Sequence, residues 1–151
     1  LRLKYLISIK KKIKENEGYR NKAYLDLLGF ATIGYGHLIR KNEKYLLERK
    51  HSKKSLSTIF EDDFNKALKS YLQFYKYKNH EQGIKGVYIE MIFQLGINNQ
   101  RKFIKMHKHI DKKNYFMAAF EMKNSLWYKQ TPKRVDLLIN MLLKKKYEKT
   151  R

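Results

Sequence analysis

Glu17, Asp26 and Thr32 stand close together in the run ENEGYRNKAYLDLLGFATIGYGHL, residues 15–38. Glu17 ends a stretch with helical apolar spacing, Asp26 precedes a glycine turn, and Thr32 follows on the chain's return. Two carboxylates with different surroundings on facing elements are the minimum equipment for cleaving a glycosidic bond. One must hold its proton and donate it to the leaving oxygen; the other must stay ionised and manage a water or a developing cation. A carboxyl on the margin of an apolar face is desolvated, which favours its neutral form. Glu17 therefore reads as a general acid, although its position also suits a surface glutamate at a helix end. Asp26 reads as the ionised partner or as a turn residue capping its own backbone. Thr32 can hold a water beside Asp26, or serve as an ordinary strand threonine.

The elements around these residues follow from spacing. Leu3, Leu6, Ile7, Ile9 and Ile13 recur near helical period, with Gly18 as the stop. Lys22 to Leu38 reads as short strands, with Gly29, Gly34 and Gly36 at the turns. Residues 39–56 are charged and weakly patterned, a loop with at most a short irregular piece. Thr58 with Glu61 three residues on reads as a capping box, opening a helix striped by Phe60, Phe64, Ala67, Leu68, Tyr71 and Tyr75. After a break at Asn79–Gly83, Ile84, Val87, Tyr88, Met91, Ile92 and Leu95 predict an amphipathic helix stopped by Gly96. Shorter helices are expected from Phe103 to about Ile110 and around Tyr115, Ala118, Ala119 and Met122. Thr131 before Pro132 marks a helix start, and Val135, Leu138, Ile139 and Leu142 form its buried stripe. The chain reads as mainly helical with one small sheet near its N-terminus.

A length of 151 residues suits one domain with a sizeable core, and 42% hydrophobic residues suit a globular chain. Without cysteine there is no disulfide framework and no thiolate metal site. The longest apolar runs are too short to span a bilayer. No signal peptide is visible, though the chain opens on Leu1 rather than methionine. Among the histidines, His51, His80, His107 and His109 lack metal-ligand spacing, and His107 and His109 do not share a helix face. Gly34 and Gly36 do not make a phosphate loop, because Ile39 stands where a third glycine is required. The charge is extreme: 35 Lys and Arg against 14 Asp and Glu, a net +21. Such a field attracts polyanions without choosing among them, and it also fits a lysine-rich composition on solvated faces.

Glu17-Gly18, Tyr24, Asp26, Gly29 and Thr32-Ile33-Gly34-Tyr35-Gly36-His37-Leu38 together resemble the catalytic segment of the phage-type lysozymes, glycoside hydrolase family 24. Met91-Ile92-Phe93-Gln94-Leu95-Gly96 and Trp127 to Arg134 resemble later segments in the same order, so the resemblance runs from about Ile13 to about Leu143. It implies an α+β, mainly helical, lysozyme-like fold: one domain, 1–151, with a small antiparallel sheet lobe at about 14–57 and a helical lobe of 1–13 and 58–151, flanking a cleft. It implies a muramidase that inverts: Glu17 protonates the leaving oxygen, Asp26 and Thr32 activate water, and the carboxyls stand roughly 6.5–9.5 Å apart. Leu38, Phe93 and Gln94 match substrate-lining positions, Phe93 equally suiting the core. His37 with Asp63 is implied to be structural support, tying the sheet to the helix starting near Thr58, and Arg134 a geometric support for Glu17. No cofactor and no metal are implied. Met106 and Glu121 depart from the small or amide polar side chains of the family's best-known member, the 39–56 segment is shorter than in that member, and Leu137 replaces a common arginine.

The implied partner is bacterial peptidoglycan, met by a monomer, with anionic wall polymers or a membrane surface attracted by charge. The implied location is a host cytoplasm before lysis, with action at the wall. The alternative is a cationic membrane-active or wall-binding antibacterial protein on the same fold, using Lys10-Lys11-Lys12 and Lys144-Lys145-Lys146. An intact trio of Glu17, Asp26 and Thr32 argues for catalysis. Specific nucleic-acid binding lacks a motif, and the aromatics fall on core stripes.

Overall fold

The computed structural model describes residues 2–148, with side chains through Lys144; those of Lys145 and Lys146 lie outside it. The chain divides into two compact units, Leu1–Lys66 and Ala67–Arg151.

In the first unit, helix α1 (Leu3–Glu17) leads into three strands, β1 (Arg20–Leu25), β2 (Ala31–Gly34) and β3 (His37–Leu38). They form an antiparallel meander in the order β1-β2-β3. Ile9 and Ile13, one turn apart, are the buried residues of α1. Leu3 and Ile7 of the same stripe are exposed, so apolar spacing overstates burial in the first turns. Gly18 stops the helix at φ 71°, its N–H on the Lys14 carbonyl at 3.0 Å, in a region that glycine enters without strain.

A small core joins Ile33 of β2, Leu46 of a 3₁₀ segment (Lys41–Leu47) and Leu56, with Ile39 and Ile59 against it. Leu56 belongs to helix α2, which spans Lys53–Tyr75. The expected start at Thr58 is thus five residues late. Ser52 supplies the cap: its hydroxyl accepts from the Ser55 N–H at 3.1 Å and its carbonyl from Leu56 N–H at 3.0 Å. Thr58 instead lies within the helix, its hydroxyl donating to the Lys54 carbonyl at 3.1 Å, the back-bond open to any mid-helix threonine. The 39–56 segment accordingly holds the 3₁₀ segment and the first turn of α2.

In the second unit, α3 (Gln82–Leu95) begins inside the expected break and ends at Gly96. It is not the amphipathic helix its spacing suggests: Ile84 and every residue from Gly86 to Ile92 are buried, the mark of a helix enclosed on all sides. It packs against α4 (Ile97–Arg101) and α8 (Pro132–Glu148), while α6 (Tyr115–Lys123) packs against α5 (Ile104–Asp111), α7 (Leu126–Gln130) and α8. The one-turn helices α4 and α7 are too short to leave a periodic signal. Val135, Leu138, Ile139 and Leu142 are buried on α8.

Where α2 ends, Tyr71 and Tyr75 meet His80, Tyr88 and His107 in one aromatic cluster. Tyr71 Oη lies 3.1 Å from His80 Nδ1, and Tyr88 Oη 2.7 Å from His107 Nδ1. The Tyr75 hydroxyl donates to Gln100 Oε1 at 2.6 Å. Burial pushes the His80 pKa down to about 4. Among the described residues, no helix is long and apolar enough to cross a membrane.

Candidate active site

Strand register positions the candidate residues. Tyr24 pairs with Thr32, and Thr32 with Leu38, so the three side chains form a row across one face of the sheet. The Asp26 N–H donates to the Phe30 carbonyl at 2.9 Å, carrying the two-residue alternation onward and putting Asp26 on the face of Tyr24 and Thr32. Ile33 pairs with His37 on the other face, toward the Leu46 and Leu56 core.

Asp26 builds its own turn. Its Oδ1 accepts from the Leu28 N–H at 2.9 Å and the Phe30 N–H at 2.8 Å, and its carbonyl accepts from the Gly29 N–H at 2.9 Å. Gly29 closes the turn at φ 84°. Both N–H donors of the turn fall on Oδ1, so the turn-capping reading of Asp26 holds for that oxygen. Thr32 is buried, its hydroxyl donating to the Phe30 carbonyl at 3.0 Å. The donor is spent there, and the oxygen lone pairs can still accept from a water.

Glu17 is half-buried at the last position of α1. Its carboxyl lies against Gly36, which sits at φ 76°; a Cβ on Gly36 would stand 2.7 Å from the Glu17 carboxyl carbon. The glycine of the Tyr35-Gly36-His37 turn therefore serves both backbone conformation and close approach. Tyr24 senses both carboxylates. Burial raises its pKa first, Glu17 next and Asp26 further, while Arg20 opposes them. The Arg20 guanidinium lies 4.2 Å from the Tyr24 ring centroid. Neither Arg20 nor Tyr24 stood out in the sequence as electrostatic neighbours of the trio, since a bulge between them breaks simple strand alternation.

His37 lies between two carboxylates: Nδ1 is 2.7 Å from Asp63 Oδ2 on α2, and Nε2 is 2.8 Å from Glu43 Oε2 in the 3₁₀ segment. Burial would lower its pKa, but Asp63 and Glu43 outweigh burial and hold it above the ordinary value. Burial likewise opposes, and the Arg40 N–H and His37 overcome, so that Glu43 is held below the ordinary glutamate value. Glu43 escaped the sequence reading because a 3₁₀ segment has no apolar period to reveal it.

Glu17, Asp26, Thr32, His37, Leu38 and Asp63 belong to the first unit, and Leu38 is exposed. Phe93, Gln94 and Arg134 belong to the second. Phe93 is half-buried on α3. Gln94 Oε1 accepts from Trp127 Nε1 at 3.1 Å, and its Nε2 donates to Thr131 Oγ1 at 3.2 Å. Arg134 stands in the first turn of α8 with Nε and Nη2 enclosed. Met106 is buried in the core, and Glu121 is half-buried on α6.

The model of the phage lysozyme family matches residues 14–146. Two proteins of Dictyostelium discoideum are similar over most of their length. Probable T4-type lysozyme 1 is 37% identical, covering 89% of this chain and 93% of that protein; probable T4-type lysozyme 2 is 34% identical, covering 89% and 92%. The pre-baseplate central spike protein Gp5 of Enterobacteria phage T4 is 26% identical over 91% of this chain, but this spans only 28% of that protein. The matched region takes in the α1 end, the whole sheet and the helices beyond it. The chain belongs to the phage lysozyme family, lysozymes that are glycoside hydrolases with peptidoglycan as substrate.

Proposed function

We propose that this chain hydrolyses the β-1,4 bond between N-acetylmuramic acid and N-acetylglucosamine in bacterial peptidoglycan, by a single displacement with inversion. Glu17 donates its proton to the leaving oxygen, Asp26 stays ionised beside the reacting carbon, and Thr32 orients the attacking water between them. Leu38, Phe93 and Gln94 contact the glycan, while His37, Asp63 and Arg134 hold the frame. The observation that carries this reading is the sheet register, which sets Asp26 and Thr32 on one face with Tyr24, a residue whose pKa both carboxylates raise. The protein acts as a monomer at the wall and brings about lysis after accumulating in the cytoplasm of the cell that makes it. Its +21 charge retains it on anionic wall polymers.

Product analysis by mass spectrometry on purified peptidoglycan tests the reaction. Wild type is expected to leave reducing N-acetylmuramic acid ends. Glu17→Gln should lose about 10²- to 10⁴-fold in kcat, the usual worth of a general acid, with wall binding retained. Proton NMR of fresh product should show the α-anomer first. Anhydro ends would replace hydrolysis with transglycosylation, and a β-anomer would replace inversion with retention.

A further inference from the structure

We propose that the tip of the β1–β2 hairpin is a docking wedge for an anionic lipid surface. Leu25, Leu27, Leu28 and Phe30 are exposed there at 70%, 91%, 58% and 56%. The turn itself does not call for them: Asp26 and Gly29 supply its hydrogen bonds and its positive φ, and polar residues serve at turn centres equally well. Nor do they close a core: Leu25 shares the face of Ile33 through its pairing with Ala31, yet the core there is Ile33, Leu46 and Leu56 with Ile39 and Ile59, and Leu25 stands exposed outside it. Four exposed apolar side chains within six consecutive residues of one hairpin mark an interaction site. They sit on a turn already fixed by four hydrogen bonds, so contact costs little ordering.

Charge identifies the partner. The Ile39 N–H donates to the Ala31 carbonyl at 2.9 Å, which brings Arg40 level with Phe30 at the same end of the sheet. Lys41 and Lys44 follow in the 3₁₀ segment, and all three are exposed. Glu43, the acid among them, is engaged by His37 and the Arg40 N–H. Residues 1–66 hold sixteen Lys and Arg against eight Asp and Glu. An apolar tip backed by a cationic collar suits a bilayer interface, where leucines enter the acyl boundary and Arg and Lys meet phosphates. A soluble polyanion has no use for the leucines, and a neutral surface has none for the collar. Because the same turn carries Asp26, a docked hairpin is withdrawn from glycan.

The chain has no cysteine, so Leu27→Cys can carry a single environment-sensitive fluorophore, with Asn79→Cys, exposed in the second unit, as control. Vesicles of equimolar phosphatidylglycerol and phosphatidylcholine are expected to blue-shift the label at 27 and not at 79, and salt to reverse the shift. A shift at both positions, or at neither, would overturn the proposal. Combining Leu27→Ser with Leu28→Ser should lower co-sedimentation with these vesicles roughly tenfold or more, because burying one leucine is worth more than a tenfold change in partition. Arg40→Gln with Lys41→Gln should also lower it roughly tenfold. Equal co-sedimentation of the leucine variant and wild type reduces the contact to charge alone, and equal binding to phosphatidylcholine vesicles removes the role of charge; either result sinks the wedge. Loss of glycan binding by the leucine variant with vesicle binding intact would assign the tip to substrate instead. None of these readouts needs bond cleavage, so they stand or fall apart from the muramidase reading.

Discussion

Replacing Asp26 by asparagine and by alanine should give two different proteins. Asparagine keeps an oxygen that can accept from the Leu28 and Phe30 N–H groups, so its stability should stay within about 0.5–1 kcal/mol of wild type. Alanine removes that acceptor and should cost about 1–2 kcal/mol. Both remove the negative charge and should lower kcat at least about 100-fold. Urea unfolding set against hydrolysis rates separates the two tasks; equal stability losses would show that the turn does not depend on the oxygen. The strand–turn–strand that carries Asp26 and Thr32 was legible because the glycines, tyrosines and histidine around them fix one arrangement. What the sequence left unseen at this scale depends on register. Arg20 reaches the Tyr24 ring and Glu43 reaches His37 through pairings that no local pattern encodes.

Element boundaries turn on which of several candidate caps the tertiary structure uses. Both Ser52 and Thr58 could open α2, and the Thr58–Glu61 box is the stronger local signal. Packing of Leu56 against Ile33 and Leu46 requires helix before Thr58, so Ser52 caps. Ser52→Ala should destabilise by about 1 kcal/mol, and Thr58→Ala by little or nothing, as measured by chemical denaturation. A larger loss at Thr58 would put the working cap there. α3 shows a related limit: its apolar spacing was readable, but complete enclosure reflects neighbours on every side, and Glu90 among its buried residues hides it from a hydrophobicity pattern. The His37 junction joins β3, the 3₁₀ segment and α2 through two carboxylates. Because its folded pKa is raised above the ordinary 6.5, its stabilisation is complete below about pH 6.5 and is lost as pH rises through the raised value. His37→Gln should flatten that alkaline loss in denaturation midpoints measured against pH.

For the molecule as a whole, His80 works in the opposite direction. With its pKa pushed down to about 4, the folded protein resists protonating it, and stability is lost as pH falls from about 6.5 toward 4. The two histidines together predict greatest stability near neutral pH, and His80→Gln should flatten the acid side alone. The +21 charge carries a separate expectation. Retention on isolated cell walls should fall steeply as salt approaches about 1 M, where screening acts over about 3 Å. Hydrolysis of a short soluble glycan should change far less. Parallel losses would place the charge within the catalytic step. Composition made the charge plain and spacing made the helical majority plain. The Tyr71–Tyr75–His80–Tyr88–His107 cluster was not legible, since its members, on α2, α3, α5 and the α2–α3 connection, meet only when those helices pack.

The division of labour at Asp26 also shapes how such a chain can diverge. Aspartate and asparagine codons differ at one base, and the amide keeps the acceptor that the turn uses. On the role proposed for Asp26, a duplicated gene sheds cleavage in one step while keeping its hairpin, its exposed tip and its basic surface intact. At Gly36 a substitution is costlier, because a side chain there would have to displace the Glu17 carboxyl and hold a backbone φ of 76°.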